Sequence, residues 1–128
     1  LFAEKIPQQA TLLAGAELGG IPLVTTASMA SNLPCIFIRN QKKDYGTSQQ
    51  LEGNLELSDC VVIVEDVATT GGQVLEAAET IQDSGANVST IIAVIDRCEG
   101  ARENIEAAGF VFESLFTTAD LGITETTA

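Results

Sequence analysis

Two adjacent carboxylates, Glu65 and Asp66, stand between an apolar run at residues 61–64 and the turn Thr69-Thr70-Gly71-Gly72. A turn of that composition opening into a helix presents unpaired backbone N–H groups and the positive end of the helix dipole, which suits a phosphate. The threonine hydroxyls add donors, and the glycines let backbone approach an oxygen closely. Carboxylates would repel that phosphate, so they need another partner. A ribose diol is the natural one, because its neighbouring hydroxyls can donate to carboxylates or ligate a hydrated Mg²⁺. Acids for the diol and a turn for the phosphate describe a site for ribose 5-phosphate; acids that merely cap the turn are the alternative. The turn holds no Lys and G-x-G-x-x-G is absent, which excludes a Walker A loop and the dinucleotide fingerprint.

A second group of residues has a different chemistry. The chain has 6 bases against 18 acids, for a net charge of −12. Three of those bases, Arg39, Lys42 and Lys43, fall within five positions at the end of an apolar run. In so acidic a chain the cluster marks where an anion would be met, particularly at the carboxyl edge of a sheet; a solvated charged loop is the bland alternative. The acidity also argues against nucleic acid as a partner. There is no His, so Ser-His-Asp and Cys-His nucleophiles are excluded. Cys35, Cys60 and Cys98 are odd in number and widely spaced, which fits neither zinc nor a disulfide framework; Cys35 and Cys60 read as small strand hydrophobes.

These residues need a frame. At 128 residues and 45% hydrophobic content the chain is expected to form one domain, residues 1–128, with a modest core. No apolar run reaches the ~18 residues of a membrane span, and no leader pattern is present, so a soluble cytoplasmic protein without a membrane partner is expected. Residues 61–64 are all β-branched and apolar, as in a strand buried on both faces of a parallel sheet. Further strands are expected at residues 11–15, 35–38, 88–95 and 111–115. Helices are expected from Pro22 to about Ser31 with Asn32 as the stop, from the 69–72 turn to a cap at Gly85, and over residues 101–108 with Gly109 as cap. Residues 39–53 show no sustained period and read as one long loop of the functional kind. The chain opens at Leu1 inside what reads as a helix closed by Pro7, so an upstream segment is expected. Right-handed crossovers turn this order into an α/β fold: a doubly wound, mainly five-stranded parallel sheet flanked by helices.

The segment VVIVEDVATTGG resembles the phosphoribosyl pyrophosphate (PRPP) motif of type I phosphoribosyltransferases. Together with AGAELGGIPLVT, RNQKKDYGT, LEG and VIDRCEGARENI it is similar to the orotate phosphoribosyltransferase family in its archaeal form, over about residues 12–121. The resemblance implies the type I phosphoribosyltransferase fold, with its N-terminal hood outside this chain. It implies transfer of ribose 5-phosphate from PRPP to orotate, with Mg²⁺ held mainly by PRPP and water, in pyrimidine biosynthesis. By the same resemblance Glu65 and Asp66 hold the ribose hydroxyls, next to Val67, while Ala68, Thr69, Thr70, Gly71, Gly72 and Gln73 wrap the 5-phosphate. Thr69 also faces orotate, and Arg97 takes the orotate carboxylate. Glu17, Leu18, Gly19 and Gly20 match the pyrophosphate loop. Arg39, Asn40, Lys43 and Tyr45 match a catalytic lid shared across a homodimer, with Lys43 and Asp66 in the catalytic roles. Asn40 stands where the family usually carries Lys, and Tyr45 where many bacterial members carry His. Without the hood, the chain is expected to bind PRPP but turn over poorly.

Two other readings share the motif. One is a ligand-sensing phosphoribosyltransferase-like domain of a transcriptional regulator, with its DNA-binding part upstream. The other is a purine salvage transferase, against which the Lys43-Asp44-Tyr45-Gly46 and Asp96-Arg97 segments count as pyrimidine-type features.

Overall fold

The computed structural model describes residues 1–43 and 46–122, and within that span only the backbone of residues 41–43 and 46–49. After a short α1 (Phe2–Lys5) the chain runs β1 (Leu12–Ala16), α2 (Gly20–Ser31), β2 (Cys35–Lys43), β3 (Gly46–Glu52) and β4 (Cys60–Ala68). It continues through α3 (Gly72–Asp83), β5 (Asn87–Asp96), α4 (Ala101–Ala107) and β6 (Val111–Thr117). The six strands form one sheet in the order β3-β2-β1-β4-β5-β6. Every neighbouring pair is parallel except β2 with β3. The expected five parallel strands are therefore all present, and a sixth, antiparallel strand is added at one edge.

Both faces of the sheet are covered, which is why its strands are apolar without alternation. Leu13, Val62, Val64 and Ile92 point to one side and pack with Phe2, Val24 and Ala27 of α1 and α2. Leu12, Ala14, Val61, Ile63 and Ile91 point to the other, against Val74, Ala78 and Ile81 of α3 and Ile105 of α4. The crossover helix after β1 thus lies on one face and those after β4 and β5 on the opposite face. Pro22 sits in the first turn of α2, where its missing N–H costs no intrahelical bond. Asn32 ends that helix in the left-handed conformation at φ 62°. Among the described residues no helix is long and apolar enough to cross a membrane.

Two expectations need correction. The aperiodic segment after Ile38 is a hairpin: β2 continues to Lys43 and pairs with β3 from Phe37↔Glu52 to Lys43↔Gly46. Beyond Ile38, which is the last residue of β2 paired with β1, this arm carries no apolar face for a core, so its sequence shows no burial period. The strand expected to stop before Glu65 continues to Ala68, and its ladder with β5 includes Glu65↔Ala93 and Ala68↔Asp96. Apolar runs mark burial, whereas a ladder ends only where backbone pairing ends. The two acids therefore stand on strand backbone.

Candidate active site

The helix after β1 and the helix after β4 leave the sheet on opposite faces, and β1 and β4 are neighbours. Their carboxyl ends thus border the topological switch point, where an open α/β sheet has a crevice. Two turns rim it: residues 17–20, leaving β1, and residues 69–71, leaving β4. Between them stand Glu65 and Asp66.

The first turn is packed directly onto the second acid. A Cβ placed on Gly19 would lie 2.1 Å from Asp66 Oδ2, and one on Gly15 would lie 2.5 Å from the Gly20 carbonyl oxygen. At Gly15 a side chain would meet fixed backbone, and at Gly19 it would displace the Asp66 carboxylate, so glycine here serves close approach. The peptide between Glu17 and Leu18 is cis. Leu18 is largely exposed. The Glu17 side chain is turned to the edge of the sheet, where Glu17 Oε1 accepts the Asn40 N–H at 2.5 Å and the Glu17 N–H donates to the Ile38 carbonyl at 2.9 Å.

The second turn forms an open cleft of about 550 Å³ lined by Glu65, Val67 and all of residues 68–73. Gly71 adopts φ 87°, a left-handed conformation that glycine reaches without a Cβ penalty, and caps the 12-residue α3. The first-turn amides of α3 consequently face the cleft as donors without intrahelical partners. Thr70 Oγ1 lies 3.5 Å from the Gly72 N–H. Behind the turn, α4 and the segment before it act as a brace. The Ala101 N–H donates to the Thr69 carbonyl at 3.1 Å, Asn104 Nδ2 donates to the Thr70 carbonyl at 2.8 Å, and the Arg97 N–H donates to the Ala68 carbonyl at 3.0 Å. These bonds direct the carbonyls of the turn away from the cleft and leave its N–H groups for a ligand. The bracing residues Ala101 and Asn104 carry no signal in the sequence, since an Asn on a short helix has many uses.

The two acids differ sharply in protonation. Burial pushes the Glu65 carboxyl up from its ordinary 4.5 to about 8, and its hydrogen bond and charge contact with Asp66 push the same way. The hydrogen bond from Glu65 in turn holds Asp66 below the usual carboxylate range. Near neutrality the pair holds one proton on Glu65 and one negative charge on Asp66. Each carboxylate also accepts a backbone N–H: Glu65 from Asp66 at 3.1 Å, and Asp66 from Val67 at 2.7 Å. Both bonds stay within β4 and reach no residue of the 69–72 turn, and they leave a protonated donor at the cleft, Glu65, beside an ionised acceptor, Asp66, that lies against Gly19.

The basic residues are spread around this centre. Arg39 is at the root of the hairpin and pairs with Glu52 at 3.3 Å. Arg97 follows β5 and pairs with Glu99 at 3.0 Å. All four side chains are substantially exposed, so each pair is worth only about 0–1 kcal/mol. A multiply charged anion can take either guanidinium at little cost. Asp96, beside Arg97, is buried and accepts the Cys98 N–H at 2.9 Å, which fixes the segment that carries the guanidinium. Lys43 ends β2, and its side chain lies outside the described residues, as does Tyr45. Among the described residues no three His, Cys, Asp or Glu side chains gather as a metal site.

No family model matches the chain. Individual relatives do. It is 44% identical to the orotate phosphoribosyltransferase of Pyrococcus horikoshii over 119 residues, covering 93% of this chain and 64% of that one. With the enzyme of that name from Natronomonas pharaonis it shares 44% over 120 residues, covering 94% of this chain and 68% of the other. The crystal structure of orotate phosphoribosyltransferase from Aeropyrum pernix superposes with a TM-score of 0.80 at 30% identity, over 91% of this chain and 68% of that one. The chain thus spans about two thirds of the length of the proteins it matches. On that identity, coverage and shared fold, this chain belongs to the orotate phosphoribosyltransferase family.

Proposed function

We propose that the protein transfers the ribose 5-phosphate group of PRPP to orotate, giving orotidine 5'-phosphate and pyrophosphate in pyrimidine biosynthesis, in the cytoplasm. The observation that carries this reading is the joining, at one switch point, of the unlike acids Glu65 and Asp66 with the amide-lined 69–72 turn. In the reaction the bond from ribose C1 to pyrophosphate breaks, with the electron pair leaving on pyrophosphate, and a bond from C1 to a ring nitrogen of orotate forms with loss of that nitrogen's proton.

The residues divide the work. The 69–72 turn and the N-terminus of α3 hold the 5-phosphate through backbone N–H groups and need no cation. Asp66 accepts from one ribose hydroxyl while the protonated Glu65 can donate to or accept from the other, so the diol is met by a single negative charge rather than two. Arg97 exchanges Glu99 for the orotate carboxylate, and Thr69 faces the same substrate; the exposure of the Arg97–Glu99 pair supports this exchange. Arg39 and Lys43, on the hairpin, meet the charge that develops on the leaving pyrophosphate in a site closed to water. The donor set fits a Mg²⁺ carried by pyrophosphate oxygens and water, because Asp66, beside the cleft, is an ionised oxygen acceptor. Bound so, the ion would neutralise leaving-group charge. The hairpin extends beyond the last residue of β2 paired with β1, which supports reading it as a lid shared across a homodimer.

Loss of orotate absorbance with PRPP and Mg²⁺, followed with the full-length protein, tests the reading. Lys43→Ala is expected to lower kcat by ~10²- to 10³-fold, the scale of losing one group that stabilises transition-state charge. An active protein indifferent to that change would remove the lid from the mechanism, and absence of transfer in the unaltered protein would sink the reading itself.

A further inference from the structure

We propose that Glu17 is a positioning residue whose carboxylate replaces a backbone carbonyl in the β1–β2 ladder and so fastens the hairpin arm to the turn that rims the cleft. In a parallel pair, a residue donates its N–H to one partner residue and receives, at its C=O, the N–H of the residue two further along. Residue 17 keeps the first half of this pattern, with its N–H on the Ile38 carbonyl at 2.9 Å. The second half should bring the Asn40 N–H to the residue-17 carbonyl, but Glu17 Oε1 accepts that N–H at 2.5 Å. Strand β1 has already ended at Ala16, and the chain is turning so that Gly19 can lie on Asp66. The side chain therefore carries the ladder one rung past the strand.

That rung has a consequence for the site. The β1–β2 pairing ends at Ala16↔Ile38, while β2 runs on to Lys43 paired with β3. The bond to Asn40 ties the first stretch of the free arm back to the sheet. Its other end is two residues from Gly19, the residue in contact with Asp66. The position of the arm and the geometry at Asp66 are thus joined through a single short turn. What the rung needs is an acceptor oxygen at the end of a side chain of this length, and not a negative charge.

The kinetic half of the test rests on the transfer reaction proposed above; the exchange half does not. Amide hydrogen exchange at Asn40 is followed by NMR in the unaltered protein, Glu17→Gln and Glu17→Ala. The Gln variant keeps an acceptor oxygen and should hold Asn40 exchange within about threefold, whereas Ala should speed it by about tenfold or more while the Ile63 and Ile91 amides stay unchanged. In steady-state kinetics, Ala should lower kcat about tenfold with KM for orotate within about twofold, and Gln should restore most of the loss without raising KM for PRPP. Unchanged Asn40 exchange in Ala overturns the proposal, and so does a Gln variant as impaired as Ala, because the charge would then be what matters. If the exchange results appear as expected in a protein that transfers nothing, the clasp stands and the transferase reading falls alone.

Discussion

Glu65 and Asp66 are neighbours with opposite tendencies, and pH should expose the difference. The folded chain holds the Glu65 proton up to about 8, against an ordinary value of 4.5, so across that window the folded state binds more protons than the unfolded one. The stability this contributes is complete below about 4.5 and is lost as pH rises through about 8. Asp66 works in the other direction: its contribution is present above its ordinary 3.8 and is lost as pH falls through its lowered folded value. The urea midpoint should therefore fall between about pH 5 and 8.5, and Glu65→Gln should flatten the slope; a variant with the same slope would place the titration elsewhere. Binding should divide along the same residue lines. Asp66→Asn should raise KM for PRPP ~10-fold and leave KM for orotate nearly unchanged, while Arg97→Ala should do the reverse, in keeping with charged hydrogen bonds worth about 1.5–3 kcal/mol. Equal effects on both substrates in either variant would contradict the division. At this scale the sequence was informative, because acids, glycines and threonines at fixed spacing limit what chemistry a turn can do. The sequence was silent on Gly19 touching Asp66 and on Glu52 holding Arg39, since each contact joins segments distant in the chain.

At the scale of elements, the turn proposed to hold the phosphate is braced from behind by α4. Asn104 of α4 donates to the Thr70 carbonyl, and Ala101 and Arg97 hold the neighbouring carbonyls. Asn104→Ala removes one of these bonds and should cost about 1 kcal/mol of stability by denaturant melting. It should also raise KM for PRPP a few-fold with kcat little changed, because the turn loses its orientation and not its donors. Unaltered PRPP affinity would mean that the Thr70 peptide is held well enough without the brace. The hairpin shows why some elements escape a sequence reading. Buried strands announce themselves by apolar residues, as residues 61–64 do, but the arm formed by β2 and β3 beyond the sheet has little apolar surface to bury, and its polar residues satisfy a two-stranded ladder as readily as a loop. For the same reason the strand that carries the acids was legible only as far as Val64, although its ladder continues to Ala68.

For the whole molecule, a net charge of −12 on 13.4 kDa is a large self-repulsion in the compact state. Raising ionic strength from 0.01 to 0.15 M shortens the Debye length from about 30 to about 8 Å, so the melting temperature should rise with added NaCl. A fall would show that specific ion pairs outweigh the net field, against the about 0–1 kcal/mol expected of each exposed pair at Arg39, Arg97 and Arg102. Local order was set by the amino-acid sequence alone: which runs become parallel strands, where Asn32 stops a helix, and which glycine turn opens α3. Each of these follows from sterics and burial within a few residues. The tertiary structure alone decided that β1 lies beside β4, bringing the turn after one strand onto the acids of the other. It also decided that burial at that junction leaves Glu65 protonated beside an ionised Asp66, and that Glu17 serves Asn40 across the ladder. Those outcomes come from pairing between segments 20 to 50 residues apart, as in Gly15↔Val64 and Ala16↔Ile38, whose register no local pattern records.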